Sequence, residues 1–257
     1  MDCGSRIAIR STIPLCLLLV GCKTGTLPDP NDPNNPGMIQ ADVLRKDIQA
    51  SAENIFVHVN KGEISDAEGH KILRDYANTL LEDVKVRDID PAHAWEYAEV
   101  MKTAERWQEA KDLLEIALKN VPANDWDRRV NDTLRLAVVK TKLGDISGAI
   151  ADARKTFEAP LGAKVPIIYG VLLEIAPAAL GHGHDKELAD LLVDASDQAS
   201  QAKVDANTQE GKNFLFARSI HQRNALMKAE EIYRTSGDQQ KAEQTGKRLL
   251  QITDYRG

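Results

Sequence analysis

From Met38 onward, apolar residues recur at intervals of three and four, and no clear run of strict apolar–polar alternation appears. That period belongs to an α-helix with one face turned inward, not to a half-buried strand. A chain written this way builds its core from packed helices. Val43, Ile48, Ala52, Ile55, Phe56 and Val59 make one stripe. Lys61-Gly62-Glu63 interrupts it, and Ser65 stands where it can cap a second helix carrying Ile72, Leu73, Tyr76, Leu80, Leu81 and Val84. The spacing predicts further helices over 91–104, 107–120, 127–143, 146–157, 164–180, 185–202, 208–236 and 238–253. Pro91, Pro122, Pro160 and Pro166 fall at their starts or ends. Pro177 falls inside one, which it is expected to kink or end.

Composition narrows the function classes. Of the 257 residues, 28% are charged, too many for a polytopic membrane protein, and 42% are hydrophobic, too many for disorder throughout. The formal net charge of −6 argues against non-specific binding to nucleic acid, which needs an excess of Lys and Arg. All three cysteines, Cys3, Cys16 and Cys22, lie in the first 22 residues. The body of the chain therefore has no disulfide, no cysteine-ligated metal and no cysteine nucleophile.

Those first residues read as an address. Arg6 and Arg10 give a positive start, and Ser11 to Gly21 is a short apolar run, about half the ~20 residues a spanning helix needs. It ends in Leu19-Val20-Gly21-Cys22, which resembles the lipobox of bacterial lipoproteins. The resemblance implies that 1–21 is a signal peptide removed on export. It also implies that Cys22 carries a diacylglycerol and an acylated α-amine. Several acyl chains, at ~0.8 kcal/mol per buried CH2, are enough to hold a protein on a bilayer. Cleavage removes one net positive charge with Asp2, Arg6 and Arg10, taking the formal charge from −6 to −7. In relatives of this type Asp after the lipidated Cys favours the inner membrane. Lys23 stands there instead, which points to the periplasmic face of the outer membrane or to the cell surface. Residues 22–37 hold four of the ten prolines among Asn, Asp and Gly, the composition of an extended tether. The helical domain is then 38–257.

Within that domain, Leu136 to Ile150 resembles a tetratricopeptide repeat. Leu136 and Ala137 match its first helix, Leu143-Gly144-Asp145 its turn, and Ala149-Ile150 the opening of its second helix. Ala110 precedes Ala149 by 39 residues, and the unit over 91–122 repeats the pattern through Ala98, Met101, Ala110, Leu114, Ala117 and Pro122, with Glu105 in place of the turn Gly. The second unit covers 130–159. A weaker match over 226–253 keeps Tyr233, Gly237-Asp238 and Ala242 but has Gly246 where a large residue is usual. The resemblance implies an all-α fold of antiparallel helix pairs stacked as a tetratricopeptide-like right-handed solenoid. Two clear units are fewer than such a stack needs, so irregular pairs must complete it.

The resemblance also implies a concave face formed by the first helix of each pair, where a protein or peptide partner binds. Its groove positions fall on Trp95, Glu99 and Lys102 in one unit and on Asn131, Arg135 and Lys142 in the next. An indole beside Arg, Asn and Lys suits a chain end or acidic peptide. Gly181-His182-Gly183-His184-Asp185 supplies two His ligands and no third, and Gly181 and Asp185 read equally as helix caps, so no metal and no cofactor is expected. No nucleophile elbow, P-loop, zinc-binding His pair or dinucleotide motif occurs, and the chain reads as a non-enzyme. The expected role is a lipid-anchored scaffold or assembly factor in the cell envelope. The alternative is a hydrolase or ligand-binding lipoprotein on an α-helical toroid, which requires inward-facing acids in a closed cavity.

Overall fold

The structure is a computed structural model, and it describes residues 40–160 and 167–252. The chain divides into two units, Met1–Ile39 and Gln40–Gly257. The first, with Cys22 and the whole expected tether, lies outside the described residues. The second is all-helical in the part described, with ten helices: α1 (Ala41–Asn60), α2 (Asp66–Leu80), α3 (Ala94–Thr103), α4 (Trp107–Asn120), α5 (Trp126–Lys142), α6 (Ile146–Lys155), α7 (167–179), α8 (Asp185–Ser200), α9 (Gln209–Thr235) and α10 (Gln239–Leu249).

Three of the joints are built alike. Each spans three residues, 104–106, 143–145 and 236–238, between helices that pack on one another. The middle residue is left-handed in every case: Glu105 at φ 57°, Gly144 at 83° and Gly237 at 79°. The third residue closes the helix behind it, with N–H groups of Arg106, Asp145 and Asp238 donating to the carbonyls of Met101 (2.9 Å), Lys140 (2.9 Å) and Tyr233 (2.8 Å). This is the Schellman closure, which satisfies carbonyls that a helix end otherwise leaves bare. Asp145 and Asp238 then serve the next helix, accepting from the N–H groups of Gly148 (3.0 Å) and Lys241 (3.1 Å). Such caps contribute ~1 kcal/mol each. Ser65 caps α2 as its position predicts, accepting from Glu68 N–H at 3.2 Å. So short a joint obliges the two helices it connects to run antiparallel.

The packing order follows the chain. Each helix packs on the next except α6, which packs on α5 and α8, and α1 also meets α3, α5 meets α7, and α7 meets α9. The odd-numbered helices form a row, in which α3 and α5 are joined through side chains, Glu99 to Arg135 at 2.8 Å. Alanines at the expected close-approach positions, Ala98, Ala110, Ala117, Ala137 and Ala149, are all buried, with Met101, Leu113 and Leu114 filling the space around them. A small side chain there lets two helix axes come near enough for larger neighbours to interlock. Long-range polar ties fasten the last pairs. The Tyr233 hydroxyl donates to Asp190 at 2.5 Å, and Lys241 pairs with the same carboxylate at 2.6 Å.

Several boundaries differ from those expected. The second helix stops at Leu80, short of Val84, because its C-terminal turn closes through Leu81 onto the carbonyls of Ala77 and Asn78. The third begins as a short 3-10 turn, Pro91–His93, capped by Asp90 accepting from Ala92 N–H. The last helix ends at Leu249, not 253. Pro177 neither ends nor visibly breaks α7. The six residues before α7's final turn, Gly170–Ile175, wind as a π-helix instead. Pro177 has no N–H to give and its ring crowds the carbonyl four residues back, and the wider winding relieves both. Asp185 is not the cap of α8. His184 holds that position, and Asp185 turns back to accept from Gly181 N–H at 2.7 Å.

Candidate binding face

The odd-numbered row brings three helices onto one indole. Trp95, near the start of α3, has the guanidinium of Arg128 4.8 Å from its ring centroid, that of Arg45 at 5.2 Å and that of Arg135 at 5.4 Å. Arg45 comes from α1, Arg128 and Arg135 from α5. Each such contact contributes roughly 0.5–2 kcal/mol, more as water is excluded. Three like charges can gather only if carboxylates separate them. Asp132 is wholly buried between its neighbours on α5, bonded to Arg128 Nε at 2.8 Å and to Arg135 Nη1 at 2.9 Å. Their spacing, i, i+4 and i+7, puts all three on one helix face. Glu99 from α3 meets Arg135 Nε at 2.8 Å and Lys102 at 3.2 Å.

The cluster thus holds four cations, Arg45, Lys102, Arg128 and Arg135, against two carboxylates. Arg45 is the cation left over. Its Nε is buried with no hydrogen-bond partner among the described residues. A buried donor without an acceptor costs on the order of 1–3 kcal/mol, more when charged. Trp95 itself is half-buried.

Four of the six residues expected in the groove therefore converge: Trp95, Glu99, Lys102 and Arg135. Asn131 lies one turn before Arg135 on α5, half-buried, and its side chain makes no hydrogen bond among the described residues. Lys142 does not join them. It sits at the far end of α5, with its ammonium 5.9 Å from the ring of Trp107, the first residue of α4. Arg45, Arg128 and Asp132 were not foreseen. The i, i+4, i+7 charge pattern of Arg128, Asp132 and Arg135 is visible in the chain and marks a shared face. Nothing in the sequence marks Arg45, because its role exists only once α1 packs on α3.

The chain matches no protein-family model and no curated protein. The face is therefore interpreted from its own residues. A separate cavity of about 770 Å³ lies on another side of α5, walled by Leu118, Trp126, Val130 and Leu136, with Asp152 at its edge. Burial pushes the Asp152 carboxyl up, but hydrogen bonds from Lys140 (2.5 Å) and Lys155 (2.6 Å) outweigh it and hold the group below the usual carboxylate range. An acid so saturated is not placed to exchange protons with a substrate. Among the described residues no three His, Cys, Asp or Glu side chains are grouped to hold a metal ion, and His184 is engaged with Glu187. No described helix is long and apolar enough to cross a membrane.

Proposed function

We propose that this is a lipid-anchored envelope protein that binds another protein through a concave face formed by its odd-numbered helices, as a scaffold or assembly factor. The observation that carries this reading is the convergence of Arg45, Arg128 and Arg135 on half-buried Trp95, with one buried guanidinium nitrogen still lacking an acceptor. A peptide carboxylate balances the surplus positive charge of that cluster, and the indole offers apolar area beside it. The lipobox-like Leu19-Val20-Gly21-Cys22 accounts for the anchor, and the Pro-rich stretch after it for reach from the membrane.

A tetratricopeptide-like stack is the architecture this reading adopts. It is supported by the shared three-residue joints, by the buried alanines at the repeat positions, and by contacts that run from each pair to the next. Placing a photo-crosslinking residue at Asn131, and separately at exposed Lys119 on α4, tests the face in the native envelope. Crosslinks from position 131 that vanish with Arg45→Gln, and none from 119, are the expected result. Equal crosslinks from both positions, or none from 131, refute it. The anchor is tested by Cys22→Ser, which should abolish incorporation of labelled fatty acid and release the protein from membranes.

A further inference from the structure

Beyond the Trp95 cluster the same row of helices carries an exposed apolar surface. Tyr169 and Leu173 on α7, and Phe216, Ile220 and Met227 on α9, are each 42–56% exposed. On α9 the three fall at i, i+4 and i+11, a single stripe. The row is continuous here: the Tyr169 ring packs edge-on against His221 of α9 at 5.5 Å, and Gly170 lies so close to Leu134 of α5 that a Cβ would sit 3.0 Å from its Cδ1. Tyr169 precedes the π-wound segment Gly170–Ile175, and Leu173 belongs to it. π-Turns inside helices recur at functional sites. A soluble surface rarely concentrates large apolar groups in this way without a use for them.

We infer that the partner is a peptide segment that pairs an acidic group with apolar side chains, read by the two ends of one face. This rests on the binding reading above and names the chemistry of its ligand. The acidic half follows from charge complementarity. The Trp95 cluster has two positive charges in excess, with Arg45 paired to no carboxylate among the described residues, within a chain whose formal charge is −6. The apolar half follows from the stripe on α7 and α9. The spacing follows from helix packing. Adjacent axes lie ~8–10 Å apart, so along the row α7 stands two such steps from α3, which carries Trp95, and α9 three. An extended peptide advances ~3.3–3.6 Å per residue. The acid and the apolar anchors are therefore about four to nine residues apart.

The test uses the full chain in phosphatidylcholine nanodiscs and a fluorescein-labelled peptide, Asp-Glu-Gly-Ser-Leu-Phe-Ser-Leu. One control peptide has Ser in place of its Leu and Phe, and a second has Asn and Gln in place of its acids. The parent peptide should bind at least tenfold tighter than either control, by fluorescence anisotropy, and weaken with added salt. Arg45→Gln should remove only the advantage of the acids. Phe216→Ser with Ile220→Ser, or Leu173→Ser alone, should remove only the advantage of the apolar residues. If the acid-only control binds as tightly as the parent, the two-part ligand is wrong while a partner-binding face survives. Failure of all three peptides to bind overturns both. A dimer in sedimentation that the α9 pair of substitutions dissociates overturns the inference too, because a second copy then covers the stripe.

Discussion

Glu105 is the one non-glycine residue in the left-handed region among those described, and it occupies the position that Gly144 and Gly237 hold in sister joints. For an L-residue that conformation costs roughly 1–2 kcal/mol. Replacing it with glycine removes the cost but returns ~0.5–1 kcal/mol through the freer unfolded chain. The side chain's one long-range tie is an ion pair with Arg74 at 3.3 Å. Both partners are more than a third exposed, so its loss costs about 0–1 kcal/mol, toward the low end. Glu105→Gly should therefore stabilise the protein by about 0.5–1 kcal/mol, raising Tm by roughly 1–4 °C in a domain of this size. Gly144→Ala is the mirror experiment. A Cβ there meets nothing within 4 Å, so ~1–2 kcal/mol of backbone strain is offset only by the ~0.5–1 kcal/mol of a stiffer unfolded chain, a net destabilisation of about 0.5–1 kcal/mol. Urea unfolding followed by far-UV circular dichroism measures both, with Arg74→Ala as the control for the ion pair. If Glu105→Gly destabilises beyond the Arg74→Ala effect, or Gly144→Ala is neutral, the common geometry of the joints does not govern their stability.

Further expectations come from the core and from titration. Ala149→Leu should cost roughly 1–3 kcal/mol by overpacking a position with no exposed surface, read as a lower midpoint in the same urea assay. Asp132→Ala should cost about 2–3 kcal/mol, because it leaves Arg128 and Arg135 without their shared acceptor, and Asp132→Asn should cost less. Asp152 and Asp190 are both held below their ordinary value of 3.8; burial raises each, and the hydrogen bonds from Lys140 and Lys155, or from Lys241 and Tyr233, outweigh it. A depressed carboxylate stabilises the fold above its unfolded value and loses that contribution as pH falls through the folded one, so stability should drop below about pH 4, and less steeply in Asp152→Asn. At the other extreme, burial and a bond to Asp47 push the Tyr76 hydroxyl up to about 12. Its contribution is full below the ordinary value of 10 and fades above it, so Tyr76→Phe should flatten the alkaline loss of stability seen by circular dichroism.

How much of this was legible in the chain depends on the range of the interaction concerned. Helix positions were, because apolar spacing and the Gly-Asp dipeptides at 144–145 and 237–238 are local signals, and the joints they encode formed where expected. Even the anomaly at Glu105 was visible as a register position lacking its glycine. The backbone takes the left-handed turn regardless, at φ 57°, in a joint between two helices that pack closely on one another. The π-winding of α7 was not legible, because Pro177 says only that a hydrogen bond is missing, not where the helix absorbs the loss.

The site divides along the same line. Trp95, Glu99 and Lys102 share a helix, and Arg135 lies one repeat away, so a repeat register sufficed to bring them together. Arg45 and the Tyr169–Phe216 surface required knowing which faces of α1, α7 and α9 the packing leaves bare. That asymmetry has a physical cause. Burial selects sequence strongly, whereas an exposed apolar stripe looks in sequence like any other helix face. On α9, Phe216, Ile220 and Met227 read as core until the neighbours are in place, and Ala225, Leu226 and Ala229 on the opposite side turn out to do that work. A helix apolar on two faces must either be covered twice or offer one face to something else. The described residues of this chain cover α9 once, and the uncovered face lies on the same row of helices as an arginine still short of an acceptor.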